Sequence, residues 1–156
     1  MKQSAKLFVM YMPPPSAKKG LTFKTFLSDF SEFLEPHITT LKQLIVIGDF
    51  NIHADNCDDR DAQEFCGLID NFGLVQHVQG ATHRNGHTLD LVMSRSSDTL
   101  VTSTRSQDHG FPDHFPIFCE VSVKRPANKK ADNTVQDAKS RGHCGPDKRY
   151  PELCSH

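Results

Sequence analysis

The stretch Gln43-Leu44-Ile45-Val46-Ile47-Gly48-Asp49-Phe50-Asn51 decides the fold. Leu44 to Ile47 form an unbroken β-branched and leucine run, the pattern of a central strand covered on both faces. The run ends at Gly48 and delivers a carboxylate and a carboxamide two residues apart. Side-chain direction in a strand repeats every second residue, so Asp49 and Asn51 point to one side at the mouth of a buried strand. Metal-assisted phosphate sites are built this way, with Asp49 activating or positioning a water and Asn51 orienting a phosphate oxygen. The ordinary alternative is a turn, since Asp and Asn both close short loops through their own side chains.

Outward from this strand, Phe23, Phe26, Leu27, Phe30, Phe33 and Leu34 recur at intervals of three and four. The spacing predicts a helix from about Thr22 to Leu34 that stops near Pro36, with its phenylalanines in the core. Phe65, Leu68, Ile69 and Phe72 predict a second helix, with Asp61 as N-cap and Gly73 where the helix ends. Further strands are expected over Leu7–Met10, Leu89–Met93, Leu100–Thr102 and Ile117–Val123. That order suits one layer of helices over one sheet. Asp90 interrupts the apolar Leu89–Val92 run, where an unpaired charge is costly, so it needs a partner. Asp113-His114 is the other acid and imidazole group set directly before an apolar run. Asp108-His109 lacks such a run and reads as loop, as do His53, His77, His83 and His87; His87 is three positions before Asp90. Asp55, Asp58, Asp59 and Asp61 fail the calcium-loop template, since neither the required Gly nor the bidentate Glu is in place.

Taken in order, Tyr11 before Pro13–Pro15, Gly48-Asp49-Phe50-Asn51, Thr88-Leu89-Asp90-Leu91-Val92 and Pro112-Asp113-His114-Phe115-Pro116-Ile117 resemble the second half of the endonuclease/exonuclease/phosphatase family. These are metal-dependent phosphodiesterases that include abasic-site nucleases. The stretch Ala81-Thr82-His83-Arg84-Asn85-Gly86-His87-Thr88-Leu89-Asp90 looks most like the nuclease domain of non-LTR retrotransposons. The resemblance runs from about Leu7 to Val123. It implies an α/β (α+β) fold, a partial two-layer sandwich of the DNase I-like type with its first half missing. It also implies retroelement-type DNA endonuclease chemistry with Mg²⁺ or Mn²⁺. Asp49, Asn51, Asp113, His114 and Tyr11 would be catalytic, with Asp90 and Asp113 at the metal and Asn51 and His114 on the phosphate. Asp113 would set the tautomer and orientation of His114, and the Tyr11 hydroxyl would contact the scissile phosphate. The family usually has Ser where Pro112 stands, and proline offers no backbone N–H. The family's early strands supply an Asn and a metal-binding Glu, and only six residues precede Leu7. Metal affinity is therefore expected to be weakened, in a truncated form that the loss could leave inactive.

Charge divides the chain. Residues 1–123 hold 10 Lys/Arg against 15 Asp/Glu, a net of −5, while residues 124–156 hold 8 against 4, a net of +4, which together give −1. The domain is expected over 1–123 and a basic, disordered tail over 124–156, since the tail has too little apolar surface to offset its ordering entropy. Such a tail suits weak contact with nucleic acid. His143, Cys144, Cys154 and His156 lack the paired spacing of a zinc site. Five scattered cysteines and the lack of a signal peptide or long apolar run fit an intracellular setting, nuclear or cytoplasmic, with no membrane partner. DNA is the expected partner. The alternative is a non-catalytic retroelement remnant or a weak nucleic-acid-binding fragment, whose uncovered sheet face would drive self-association or pairing with a missing first half.

Overall fold

The structure, a computed structural model, describes residues 4–14, 16 and 20–122. The expected tail at 124–156, with the histidines and cysteines weighed there as zinc ligands, lies outside the described residues.

The elements run β1 (Ala5–Tyr11), α1 (Phe23–Ile38), β2 (Gln43–Asp49), α2 (Arg60–Asn71), β3 (Leu74–Gln76), β4 (Asp90–Arg95), β5 (Val101–Ser106) and β6 (Ile117–Val121). The first four strands in space form a sheet in the order β1-β2-β4-β3, and β5-β6 form a separate two-stranded ribbon. β1 and β2 run parallel, joined by α1, whereas β4 is antiparallel to both β2 and β3.

β2 is apolar on both faces because both are covered. Leu44 and Val46 pack with Phe30, Leu34, Phe65 and Ile69 of the two helices in one core. Ile45 and Ile47, one residue out of phase, pack with Val92, Leu100, Val101 and Ile117 in a second core. The expected layer of helices over one sheet is thus correct on one face, but the last two strands form a ribbon on the other. An uncovered half-sandwich is corrected to the same extent. The ribbon covers β2 and β4, and exposure persists on β1, where Leu7, Val9 and Tyr11 are 59, 76 and 67 % exposed.

Local boundaries differ from the sequence expectation for identifiable reasons. Thr22, where the helix is expected to begin, caps α1 by accepting the Thr25 N–H, but the helix continues through Pro36 to Ile38. A proline this close to the end forfeits a single bond of the ladder. In α2 the cap is Asp59, whose side chain accepts from the N–H groups of Asp61 and Ala62; Asp61 sits in the first turn. The short β3 was not expected, and β5 extends past Thr102 to Ser106.

Arg95 and Asp98 tie the far end of the sheet to the α1–β2 connection. The Arg95 guanidinium bonds Asp98 at 3.1 Å and donates to the carbonyls of Ile38 and Thr40, while Asp98 accepts the Leu44 N–H at 3.0 Å. This fixes where β2 enters the sheet.

At its exit β2 needs glycine. Gly48 has φ +155°, and a Cβ there would stand 1.8 Å from the carbonyl oxygen of Met10 on β1. Because the obstacle is backbone, it cannot turn aside. Gly48→Ala is expected to destabilise the fold by about 3 kcal/mol, the combined scale of overpacking and a strained backbone. The readout is the urea midpoint, and a midpoint within error of the parent chain would show that β1 can move away.

Candidate active site and metal centre

The site forms where β2 and β4 end side by side. Asp49 and Asp90 are directly paired across the antiparallel ladder, and β6 is preceded by the turn that carries His114. His114 Nδ1 donates to Asp90 Oδ2 at 2.8 Å. One ligand atom from each of Asp49, Asp90 and His114 lies within 4.8 Å of the others, and all three residues are half-buried.

Asn51 completes this constellation. It takes a left-handed conformation, φ +49°, which Asn tolerates better than most residues. Its backbone N–H donates to Asp49 Oδ1 at 3.0 Å, while its Nδ2 donates to Asp49 Oδ2 at 3.1 Å and to the Met12 carbonyl at 2.8 Å. The turn reading and the site reading of Asp49-x-Asn51 are therefore both realised: the turn is what aims the carboxylate. Both amide hydrogens of Asn51 are engaged, one of them holding the Asp49 carboxylate.

Burial pushes the Asp49 carboxyl above the usual carboxylate range, and the charge of Asp90 adds to that push against the Asn51 hydrogen bonds. The hydrogen bond to Asp90 raises His114 above the ordinary imidazole value against its partial burial, with further upward contributions from the charges of Asp90, Asp49 and Asp113. Two carboxylates crowded at one strand end, beside an imidazole, form an anionic donor set. Hard oxygen donors of this kind fit Mg²⁺ or Mn²⁺.

The residues expected from the sequence are thus partly brought together. Asp49, Asn51, Asp90 and His114 converge. Tyr11 stands next to Asp49 in the β1–β2 register with its side chain exposed. The orienting role expected of Asp113 is a correction: the carboxylate bonded to His114 is that of Asp90. Asp113 is exposed and outside the 4.8 Å cluster, and its backbone carbonyl accepts the Arg84 N–H. His87 instead lies against Asp55, Nδ1 to Oδ2 at 3.3 Å, and stacks on His53.

Sequence reasoning missed Thr82. It is fully buried, its Oγ1 accepts the N–H groups of Leu89 and Asp90 at 2.9 and 3.0 Å, and its carbonyl accepts the Phe115 N–H at 2.7 Å. One residue thereby sets the start of β4 with its side chain and the turn behind His114 with its backbone. No periodicity or charge marks it, and only its burial identifies it.

A family model described as endonuclease-reverse transcriptase matches residues 5–118. The chain belongs to that family. Among solved structures it is similar to the 3′ phosphatase NExo from Neisseria bound to a product DNA hairpin, with a TM-score of 0.60 and 18% identity. That match covers 74% of this chain and 60% of the other. It is also similar to the endonuclease domain of TRAS1, a telomere-specific non-LTR retrotransposon, with a TM-score of 0.57 and 13% identity over 76% of this chain and 58% of that one. At these identities the likeness establishes the fold, which is the DNase I-like α/β type. The chain spans about three-fifths of the structures it matches. No curated protein matches the sequence.

The raised His114 has a consequence for stability. A group whose folded pKa lies above its unfolded value, here about 6.5, stabilises fully below that value and loses the contribution as pH rises through the folded pKa. In EDTA, the Tm of the intact chain is expected to fall over this window, and the fall should be shallower in Asp90→Asn. Parallel Tm profiles for the two proteins would remove the ion pair from the account.

Proposed function

We propose that the chain is a divalent-metal-dependent phosphodiesterase of the retroelement endonuclease type, acting on DNA. The observation that carries this reading is the convergence of Asp49, Asp90 and His114 at the paired ends of β2 and β4. Family membership and the two nuclease-like neighbours support it.

Asp49 and Asp90 would hold Mg²⁺ or Mn²⁺. Once bound, the ion would neutralise charge developing on the phosphate and the leaving oxygen. Asn51 fixes the Asp49 carboxylate through two hydrogen bonds, and this leaves Asp49 oriented to position a water or accept its proton. With Nδ1 given to Asp90, His114 has Nε2 free to donate to a phosphate oxygen. Its raised pKa keeps more of the imidazole in the protonated form that such a contact requires. Asp113 contributes negative potential near His114, and Tyr11, beside Asp49, offers a hydroxyl to the same phosphate.

A second reading is favoured by the exposed β1 face. Leu7 and Val9 form an apolar stripe on an edge strand with one hydrogen-bonded partner, a feature that invites association. In that reading the chain is a non-catalytic nucleic-acid-binding fragment, self-associated or paired with a further part of the sandwich. Residues 1–123 act as the domain and 124–156 as a basic appendage in both readings. Among the described residues no helix is long and apolar enough to cross a membrane.

A plasmid-nicking assay separates the two. The expected result is slow conversion of supercoiled to open-circular DNA that requires Mg²⁺ or Mn²⁺ and falls about a hundredfold in Asp49→Ala, the scale of losing a positioned acid–base group. Nicking of equal rate in Asp49→Ala would remove the site from the chemistry. Absence of nicking, together with a dimer or larger species on gel filtration, would favour the second reading.

A further inference from the structure

We propose that Phe111 walls a subsite for an unpaired nucleobase flanking the phosphodiester at His114; this rests on the phosphodiesterase reading above. Phe111 is 56 % exposed, so its ring is open to a ligand. It belongs to the same turn as His114, and together they line a shallow hollow of about 420 Å³ with Pro112, Asp113, Phe115 and Pro116.

The ring is presented from a pinned loop. Arg84 Nη2 donates to the Phe111 carbonyl at 3.0 Å, the Arg84 N–H donates to the Asp113 carbonyl at 2.9 Å, and Asp108 Oδ1 accepts the Gly110 N–H at 2.8 Å. Pro112 further restricts the turn. A loop backbone held in this way loses little freedom when the ring it carries meets a ligand. The exposed Arg84 guanidinium lies on the same loop junction, and its charge suits the backbone phosphates that accompany a base. Stacking tolerates any base, because each offers a π-face. An unpaired base is specified because a paired one would first have to leave its stack.

The test uses the full chain, which has no tryptophan. Phe111→Trp then supplies a single indole whose emission reports stacking. In EDTA, a short single-stranded DNA is expected to quench that emission at lower concentration than the same sequence as duplex. A base-free abasic strand of equal length should leave it unchanged. By fluorescence anisotropy, Phe111→Ala should bind the single strand about tenfold more weakly, the scale of one lost stacking contact. Phe111→Tyr should restore binding, and affinity for the base-free strand should not change. Equal affinity of Phe111→Ala and the parent for single strands, or equal quenching by the base-free strand, would overturn the subsite. If Asp49-dependent nicking persists in that case, the subsite alone fails. If the parent chain neither binds any strand nor nicks, the functional reading fails with it.

Discussion

Everything at the site depends on the register between β2 and β4, which sets Asp49 opposite Asp90. A strand alternates faces with every residue, so a slip of β2 by one would carry Asp49 away from Asp90 and reverse every core residue of that strand with it. The two cores make that slip expensive, because Leu44 and Val46 are committed to the helices while Ile45 is committed to the ribbon. The strand ends are closed as well, by the Met12 N–H on the Asp49 carbonyl and the Phe50 N–H on the Leu89 carbonyl. Like charges placed directly opposite in a ladder are destabilising. The scaffold therefore uses the rigidity of two apolar cores to hold a pair that would repel if left to itself, and this is the condition under which a cation binds with gain.

The second requirement is that residues far apart in sequence arrive at that pair. His114 comes from a turn between two strands of another sheet, and Thr82 is what joins the two. Its hydroxyl takes both amides at the start of β4, and its carbonyl takes the amide following His114. The isolated bridge between His83 and His114 extends the same junction. Asp90 is thus positioned from its own backbone, and His114 is then aimed by Asp90. Positioning residues of this kind carry no charge to display and are silent in composition, yet they set distances that the chemistry needs.

The legible parts of the fold were those with a strong period and a chemical reason to stop. The phenylalanine stripe of α1 and the Leu44–Ile47 run could be read directly, because their apolar spacing matches 3.6 and the two-faced strand. The Asp59 cap was obscured by a neighbouring Asp of equal propensity, and only the hydrogen bonds distinguish them. The ribbon was read as part of one sheet because strand pattern does not say which strands pair. Val101–Ser106 is largely polar because its outer face meets solvent, so its end was read too early. In the site, Asp90 was legible as a charge in need of a partner, but its partner was not. The adjacency of Asp113 and His114 suggested a pair in sequence where the fold makes one in space.

The two faces of the main sheet differ in how far this chain completes them, and that difference bears on the site. Over the helices the core closes: Leu34, Val46 and Phe65 are fully buried. On the other face the ribbon reaches β2 and β4, while Leu7 and Val9 of β1 stand in solvent. Their strand continues to Tyr11, which lies beside Asp49 in register. Val9 pairs with Ile47, two residues before Asp49, so the exposed stripe approaches the carboxylate pair. A cover that extended along that apolar stripe to Tyr11 would also reach the anionic centre. Lower local dielectric around Asp49 and Asp90 would then strengthen both their mutual repulsion and their attraction for a cation.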